Sequence, residues 1–222
     1  MLTHLLCYLV TMSGLAPIWV DTAKSDLKVT LGSVTQTKSG YLTVVGSKQR
    51  AQRMTGTHQD AMLQFRYRGP SKTTSKLASG GIVRQIGLKM RTKDTCNLLY
   101  IMWRIEPVEE IAISIKSNPG ESNHGDCGAG GYIHVASVSL KDIGVTATTQ
   151  EAHRLRAKIN EKNGEFKLTV DVDEKTVWSG DLNPKIIAPI NGPVGFRSDN
   201  GSYIFKLFVS DAQPNAEHRT KR

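Results

Sequence analysis

Eight polar side chains in the middle of the chain have the types and spacing to act together on a negatively charged ligand. They are Gln85, Lys89, Arg91, Tyr100, Arg104, Lys116, Tyr132 and His134. Gln85, Gly87, Lys89 and Arg91 alternate with Ile86, Leu88 and Met90, and Tyr100, Met102 and Arg104 alternate with Leu99, Ile101, Trp103 and Ile105. Ala112, Ser114 and Lys116 alternate with Ile111, Ile113 and Ile115, and Tyr132 and His134 alternate with Ile133 and Val135. On extended chain, alternate residues point to opposite faces, so each stretch can bury one set and offer the other. Arginine forms paired, charged hydrogen bonds to carboxylate or sulfate. Tyrosine adds a flat stacking surface with a polar tip. An excess of positive charge draws in acidic polymers. The chain has that excess, with 29 Lys+Arg against 20 Asp+Glu in 222 residues and a formal net charge of +9.

The elements that must carry these residues are strands. Leu63, Phe65 and Tyr67 alternate with Gln64, Arg66 and Arg68, and Phe166, Leu168, Val170 and Val172 alternate with Lys167, Thr169, Asp171 and Asp173. Further extended stretches read at 27–34, 41–47, 82–91, 98–105, 131–138, 152–159, 175–182, 192–197 and 202–209. About a dozen short strands separated by turn residues predict an all-β, antiparallel sandwich or jelly roll. Asn163-Gly164, Asp173-Glu174-Lys175 and Asn200-Gly201 read as hairpin turns. Two polar, Gly-rich segments, 69–81 and 117–131, read as long loops. Surface flexibility suffices for the first, and the second carries Cys127 and His124 and reads as anchored.

The amino terminus, residues 1–23, has no Lys or Arg and an apolar stretch over residues 5–12, broken by Gly14 and Pro17. It reads as a secretory signal peptide cleaved near Thr22 or Ala23, with a first buried strand as the alternative. The domain then spans 24–210, and 211–222 is a polar tail expected to be disordered. No membrane span is expected in the mature chain. Cys7 would leave with the leader. Cys96 and Cys127 remain, and in an oxidising compartment they could form one disulfide worth about 3–4 kcal/mol in the chain-entropy model. The rival reading is zinc held by Cys96, His124, Cys127 and His134, although the tight Cys and His pairs of structural zinc sites are absent.

The stretch AHRLRAKINEKNGEFKLTVDVDEKTVWSGDL, followed by GPVGFRSDNGSYIFKLFV, resembles the carboxyl half of concanavalin A-like lectin and glucanase jelly rolls, over about a quarter of the chain. The QIGLKMR and CNLLYIMWRIEP block looks like uncharacterised secreted relatives of that superfamily. The resemblance implies carbohydrate on the concave face of one sheet, where the eight polar residues would sit. It implies no particular activity, because the fold hosts lectins, hydrolases, lyases and non-catalytic modules. No cofactor is expected beyond structural calcium, for which Asp171 and Asp173 could serve, joined by Asp199-Asn200; a solvated hairpin turn is the better explanation of these residues.

Three functions then compete. A polysaccharide lyase would need Arg104 or Gln85 to neutralise a uronate, His134 as base and Tyr132 or Tyr100 as acid. Alginate-lyase-like members carry a Q-[IV]-H strand, and here the stretch reads Gln85-Ile86-Gly87. A retaining glycosidase needs two carboxylates about 5–5.5 Å apart. The E-x-D-x-x-E pattern is absent, and Glu109-Glu110 would point to opposite faces. A carbohydrate-binding protein needs only the fold and the exposed polar and aromatic surface. No P-loop, nucleophile elbow, zincin or dinucleotide fingerprint occurs. The Lys and Arg are scattered and match no nucleic-acid motif, so nucleic acid is not an expected partner. Asn200-Gly201-Ser202 is a glycosylation sequon. The reading is a secreted, extracellular or periplasmic protein that binds polysaccharide, favouring acidic ones, with a lyase or glycoside hydrolase as the alternative.

Overall fold

The structure is a computed structural model that describes residues 17–211, apart from residues 79 and 150. Among these, thirteen strands are Ile18–Asp21 (β1), Leu27–Leu31 (β2), Thr35–Gln36 (β3), Leu42–Arg53 (β4), Asp60–Pro70 (β5), Arg84–Met90 (β6), Leu98–Glu106 (β7), Glu110–Lys116 (β8), Tyr132–Ser139 (β9), His153–Lys162 (β10), Glu165–Val172 (β11), Lys175–Leu182 (β12) and Gly195–Asp211 (β13). Two one-turn helices, His124–Cys127 (α1) and Pro184–Ile187 (α2), interrupt them. Every strand pairing is antiparallel. This is the all-β sandwich that the alternation predicts.

The strands form one hydrogen-bonded path, β12-β11-β10-β5-β13-β6-β7-β8-β9, folded over into two layers. β13 belongs to both. Its residues 195–199 pair with β6, and residues 201–209 pair with β5. Along its other edge it pairs with β4 over residues 195–205, so β4 makes the same crossing. Gly46 of β4 lies opposite Gly201 of β13 at the corner. Glycine suits a tight bend where two backbones turn together.

The apolar sets of the alternating strands meet between the layers. Phe65 of β5 packs edge-on against Trp103 of β7, with ring centroids 5.2 Å apart. Phe196 and Phe205 of β13 meet at 4.7 Å across the corner. All four rings are at most 1% exposed, and burial of each contributes about 1.5–3 kcal/mol.

Two of the expected hairpin turns are present. Asn163 and Gly164 have φ of 54° and 79°, and Asp173 and Glu174 have φ of 46° and 70°. Positive φ at both central residues matches the twist of the flanking strands. The third expectation is corrected. Asn200-Gly201 is a bend inside β13, and 192–197 and 202–209 are parts of one long strand region rather than two paired strands. Asn200 has φ 57° and is fully buried. Its side-chain amide donates to Ser75 O (3.0 Å) and Val83 O (2.9 Å), and its Oδ1 accepts from Ser75 N (2.8 Å). The sequon asparagine is therefore consumed by structure. The loop before β6, expected to be loose, is fastened to the strand crossing.

Residues 1–16 of the expected leader and 212–222 of the expected tail lie outside the described residues. Residues 18–21, read as the end of the leader, form β1 and pair with β13 from Phe208 to Asp211. Thr22 is buried and donates its N–H to Leu207 O at 2.8 Å. A cleavage near Thr22 or Ala23 would remove this strand.

Candidate functional site

The outer face of β6 to β9, extended by the first part of β13 and by β4, forms a concave surface. Register places the residues: Lys89 faces Tyr100, Tyr100 faces Ser114, and Ser114 faces His134, in one row across β6–β9. Gln85 faces Arg104 on one side and Asp199 on the other. Arg197 faces Gly87 on β6 and Arg50 on β4. Gly87 sits in the middle of this surface, where the backbone of β7 comes close. A Cβ there would press into the Ile101 carbonyl oxygen and lie 2.7 Å from Met102 Cα. A histidine at this place, as the Q-[IV]-H strand of the lyases has, does not fit.

A groove of about 360 Å³ runs over this face. Gln85, Tyr100, Met102, Ala112, Ser114 and Arg197 line it from the strands. Arg104, Tyr132 and His134 complete the lining, with Leu77 and Ala78 from the loop before β6 and Ala129 from the loop before β9. The second loop is anchored as expected. Cys96 and Cys127 are joined in a disulfide with Cα atoms 5.9 Å apart. Asn118 also ties the loop down, donating its N–H to Asn97 Oδ1 at 2.8 Å. The disulfide removes the zinc alternative, because neither sulfur is free to ligate a metal.

Charge is concentrated beneath the groove. Asp199 is fully buried and accepts from Arg197 Nε (2.7 Å), Gln85 Nε2 (2.7 Å) and Arg50 Nη2 (3.1 Å). Arg197 also lies over the Tyr100 ring at 5.1 Å and donates to the Tyr132 hydroxyl at 3.4 Å. Tyr100 and Tyr132 stack with centroids 6.1 Å apart and planes at 19°. Lys116 lies over Tyr132 at 5.4 Å and donates to Gly128 O at 2.9 Å and Cys127 Sγ at 3.1 Å. Among the described residues Lys89 makes one long hydrogen bond, to Gln52 Oε1 at 3.4 Å.

These surroundings shift the titrating groups. Burial, then the charges of Arg50 and Arg197, push Lys89 down from 10.5 to about 7. Burial also lowers Lys116 and Arg50, with Arg197 adding to both. Burial works against the charge of Arg197 too, but Asp199 and the two tyrosine hydroxyls outweigh it and hold its pKa above the ordinary value. Burial raises Tyr100, against Arg197. His124 is lowered by burial and by the cations around it.

Five of the eight residues singled out in the sequence, Gln85, Tyr100, Arg104, Tyr132 and His134, line the groove. Lys89 and Lys116 point to the same face, but loops and neighbours cover them and they are 2% and 1% exposed. Arg91 does not belong. Its φ of 50° breaks the alternation one residue past β6. Its side chain turns to Ile190 O (2.6 Å), Glu161 (3.6 Å) and the Phe166 ring (5.0 Å). Sequence reasoning missed Arg50 and Arg197, and named Asp199 only as a calcium candidate. The alternation of Val194 and Phe196 with Gly195 and Arg197 was a usable signal for Arg197.

The chemistry available follows. Among the described residues, the groove lining contains no Asp or Glu. Asp199 is sealed, Glu110 pairs with Arg104, and Glu109 accepts from Trp103 Nε1 and Ala147 N. The two-carboxylate arrangement of a retaining glycosidase therefore has no pair here. Gln85, Arg197, Tyr132 and His134 do converge on one groove. The aspartates considered for calcium sit apart. Asp171 accepts from Thr176 (2.7 Å) and Asp173 contacts His153 (2.8 Å), both in the opposite layer from Asp199.

Comparison with solved structures finds a carbohydrate-binding module, CBM66, from Bacillus subtilis at TM-score 0.53 and 11% identity, covering 81% of this chain and 91% of that one. A galactose-complexed lectin, UEA-II, matches at TM-score 0.55 and 10% identity, covering 87% and 98%. A laminarinase from Flavobacterium sp. UMI-01 matches at 0.51 and 12%, covering 86% and 95%. The chain has the concanavalin A-like jelly-roll fold. No family model and no curated protein matches it. Within this jelly roll the groove lies on the outer face of β6 to β9.

Proposed function

We propose that this jelly roll binds an anionic polysaccharide in the concave groove. One observation carries the reading: Arg50, Lys89, Lys116 and Arg197 gather at a groove whose lining, among the described residues, holds no carboxylate, with the sealed Asp199 between the two arginines. Such a surface favours acidic polymers and disfavours burial of other cations. The stacked Tyr132, 40% exposed, offers a sugar-facing ring. The carbohydrate-binding character of several structures that share the fold supports the ligand class. The disulfide suits an oxidising compartment and so a secreted protein.

The test is binding to a panel of acidic and neutral polysaccharides across a salt series. Acidic polymers should bind, and binding should weaken as salt rises. Tyr132→Ala should weaken it with the fold intact by circular dichroism. Equal binding of neutral and acidic polymers, or none, overturns the reading. The convergence of Gln85, Arg197, Tyr132 and His134 favours a second reading, β-elimination. Arg197 and Gln85 would neutralise a uronate, His134 would take the C5 proton and Tyr132 would protonate the leaving oxygen. Release of unsaturated uronate, lost in His134→Ala, would establish it.

A further inference from the structure

Behind the Tyr100–Tyr132 pair, away from the groove, lies a second and smaller pocket of about 110 Å³. Its volume is less than a third of the groove's, room for a substituent rather than a sugar ring. Both tyrosines line both spaces, so the pair is the wall between them. The polar lining is Arg50, Lys89, Lys116, His124, Thr30 and Thr95, with no carboxylate among the described residues.

The donors here are under-used. Lys89 is 2% exposed and holds only a neutral amide at 3.4 Å. Arg50 gives Nη2 to Asp199, while its buried Nη1 has no hydrogen-bond partner. A buried cation without a matching anion is costly. Donor geometry narrows the anion. Recognition of a planar carboxylate works best with a free guanidinium fork. Here the fork of Arg197 is taken by Asp199 and Tyr132, and the terminal fork of Arg50 is broken because its Nη2 is on Asp199. What remains is two ammonium groups and one guanidinium NH2, Nη1 of Arg50, arriving from β6, β8 and β4. Such dispersed point donors suit an anion with three oxygens spread about a tetrahedral centre.

We infer that this pocket is a subsite for a tetrahedral oxyanion, carried as the sulfate ester of a glycan lying in the groove. The inference rests on the reading of the groove as a glycan site. Sulfate in the pocket would accept from Lys89, Lys116 and Arg50 Nη1, and supply the negative charge the cluster lacks.

The test is calorimetric titration of the full protein with three probes: inorganic sulfate, chondroitin sulfate and unsulfated chondroitin. Inorganic sulfate should give saturable heat with the wild type and none with Lys89→Met, a substitution of similar length that removes only the charge. Chondroitin sulfate should bind at least about tenfold tighter than chondroitin, the equivalent of one charge-assisted hydrogen bond. Lys89→Met should erase that preference, bringing chondroitin sulfate binding down to the level of chondroitin binding. Lys116→Met provides a second variant should the first fail to fold. If sulfate gives no saturable heat, or both variants keep the preference, the subsite is overturned. The groove reading then still stands if Tyr132→Ala weakens both polymers. If neither polymer binds the wild type, the groove reading fails, and the inorganic sulfate titration alone decides the pocket.

Discussion

On the outer face of the back layer, Arg156 lies with Nε 2.9 Å and Nη2 2.6 Å from the carboxylate of Asp60, and with Asp171 at 4.0 Å. Beside it Arg154 pairs with Glu174, and Lys206 with Asp21 at 2.6 Å. On the groove face of the front layer, Arg50 and Arg197 share the buried Asp199, while Lys89 and Lys116 beside them pair with no acid among the described residues. The residue types are the same and the arrangements are opposite. Cations on the back face have their own acids and access to water, so they need nothing more. The concave cluster is buried and short of negative charge. Surface pairs of the first kind add little to stability, whereas buried charges impose a cost that a ligand can relieve.

The contrast breaks most visibly at Asp199. Asp199→Asn leaves two buried guanidinium groups without their acid and should destabilise by about 3–5 kcal/mol, read as a fall in the urea midpoint. Replacing both Cys96 and Cys127 with Ala should cost about 2–4 kcal/mol. It should also loosen the loop carrying Ala129, seen as faster hydrogen exchange over residues 117–131. The matching change on the back face, Asp60→Asn, should cost only about 1–3 kcal/mol, because Arg156 is about one-third exposed and can turn to water.

Lys89 sharpens the comparison through pH. Its folded pKa of about 7 lies below the 10.5 of the free group. Between these values the unfolded chain binds more protons than the folded one, so the Lys89 contribution to stability improves as pH rises. Below about 7 the charge is present in full and its cost is greatest. Arg50 and Gln52 from β4, Arg197 from β13, Tyr100 from β7, Lys116 from β8 and His124 from α1 surround this site. Lys89→Met should be more stable than the wild type at neutral pH, and the gap should narrow above pH 7 by up to about 1.4 kcal/mol per unit. A gap that stays constant from neutral to alkaline pH would show that Lys89 is not the source. The smallest effect belongs to Lys206→Ala on the back face, about 0–1 kcal/mol.

Alternation made most of the fold and part of the site legible. Ile86, Leu88 and Met90 are buried between the layers, and Gln85 faces the groove, as period two requires. The method failed where the backbone leaves that period. Arg91 at φ 50° turns away, although its place in the sequence looks like that of Lys89. The Asn163-Gly164 and Asn200-Gly201 dipeptides read alike, yet one closes a hairpin and the other bends a strand. Partner strands distant in sequence make that choice, here β6 and β5 pairing with β13 on either side of Asn200. The role of Asp199 escaped for the same reason: its Arg50 partner is 149 residues away, and only the β4–β13 pairing unites them.

The central place of β13 also has a consequence in time. It is the last of the thirteen strands to leave the ribosome, and it carries both Arg197 and Asp199. Until its successive segments pair with β6 and β5, no strand joins those two, and Arg50 and Gln85 lack their acid. Synthesis thus delivers the binding cluster and the closure of the sandwich in a single late event, so a nascent chain stopped before residue 195 would present neither.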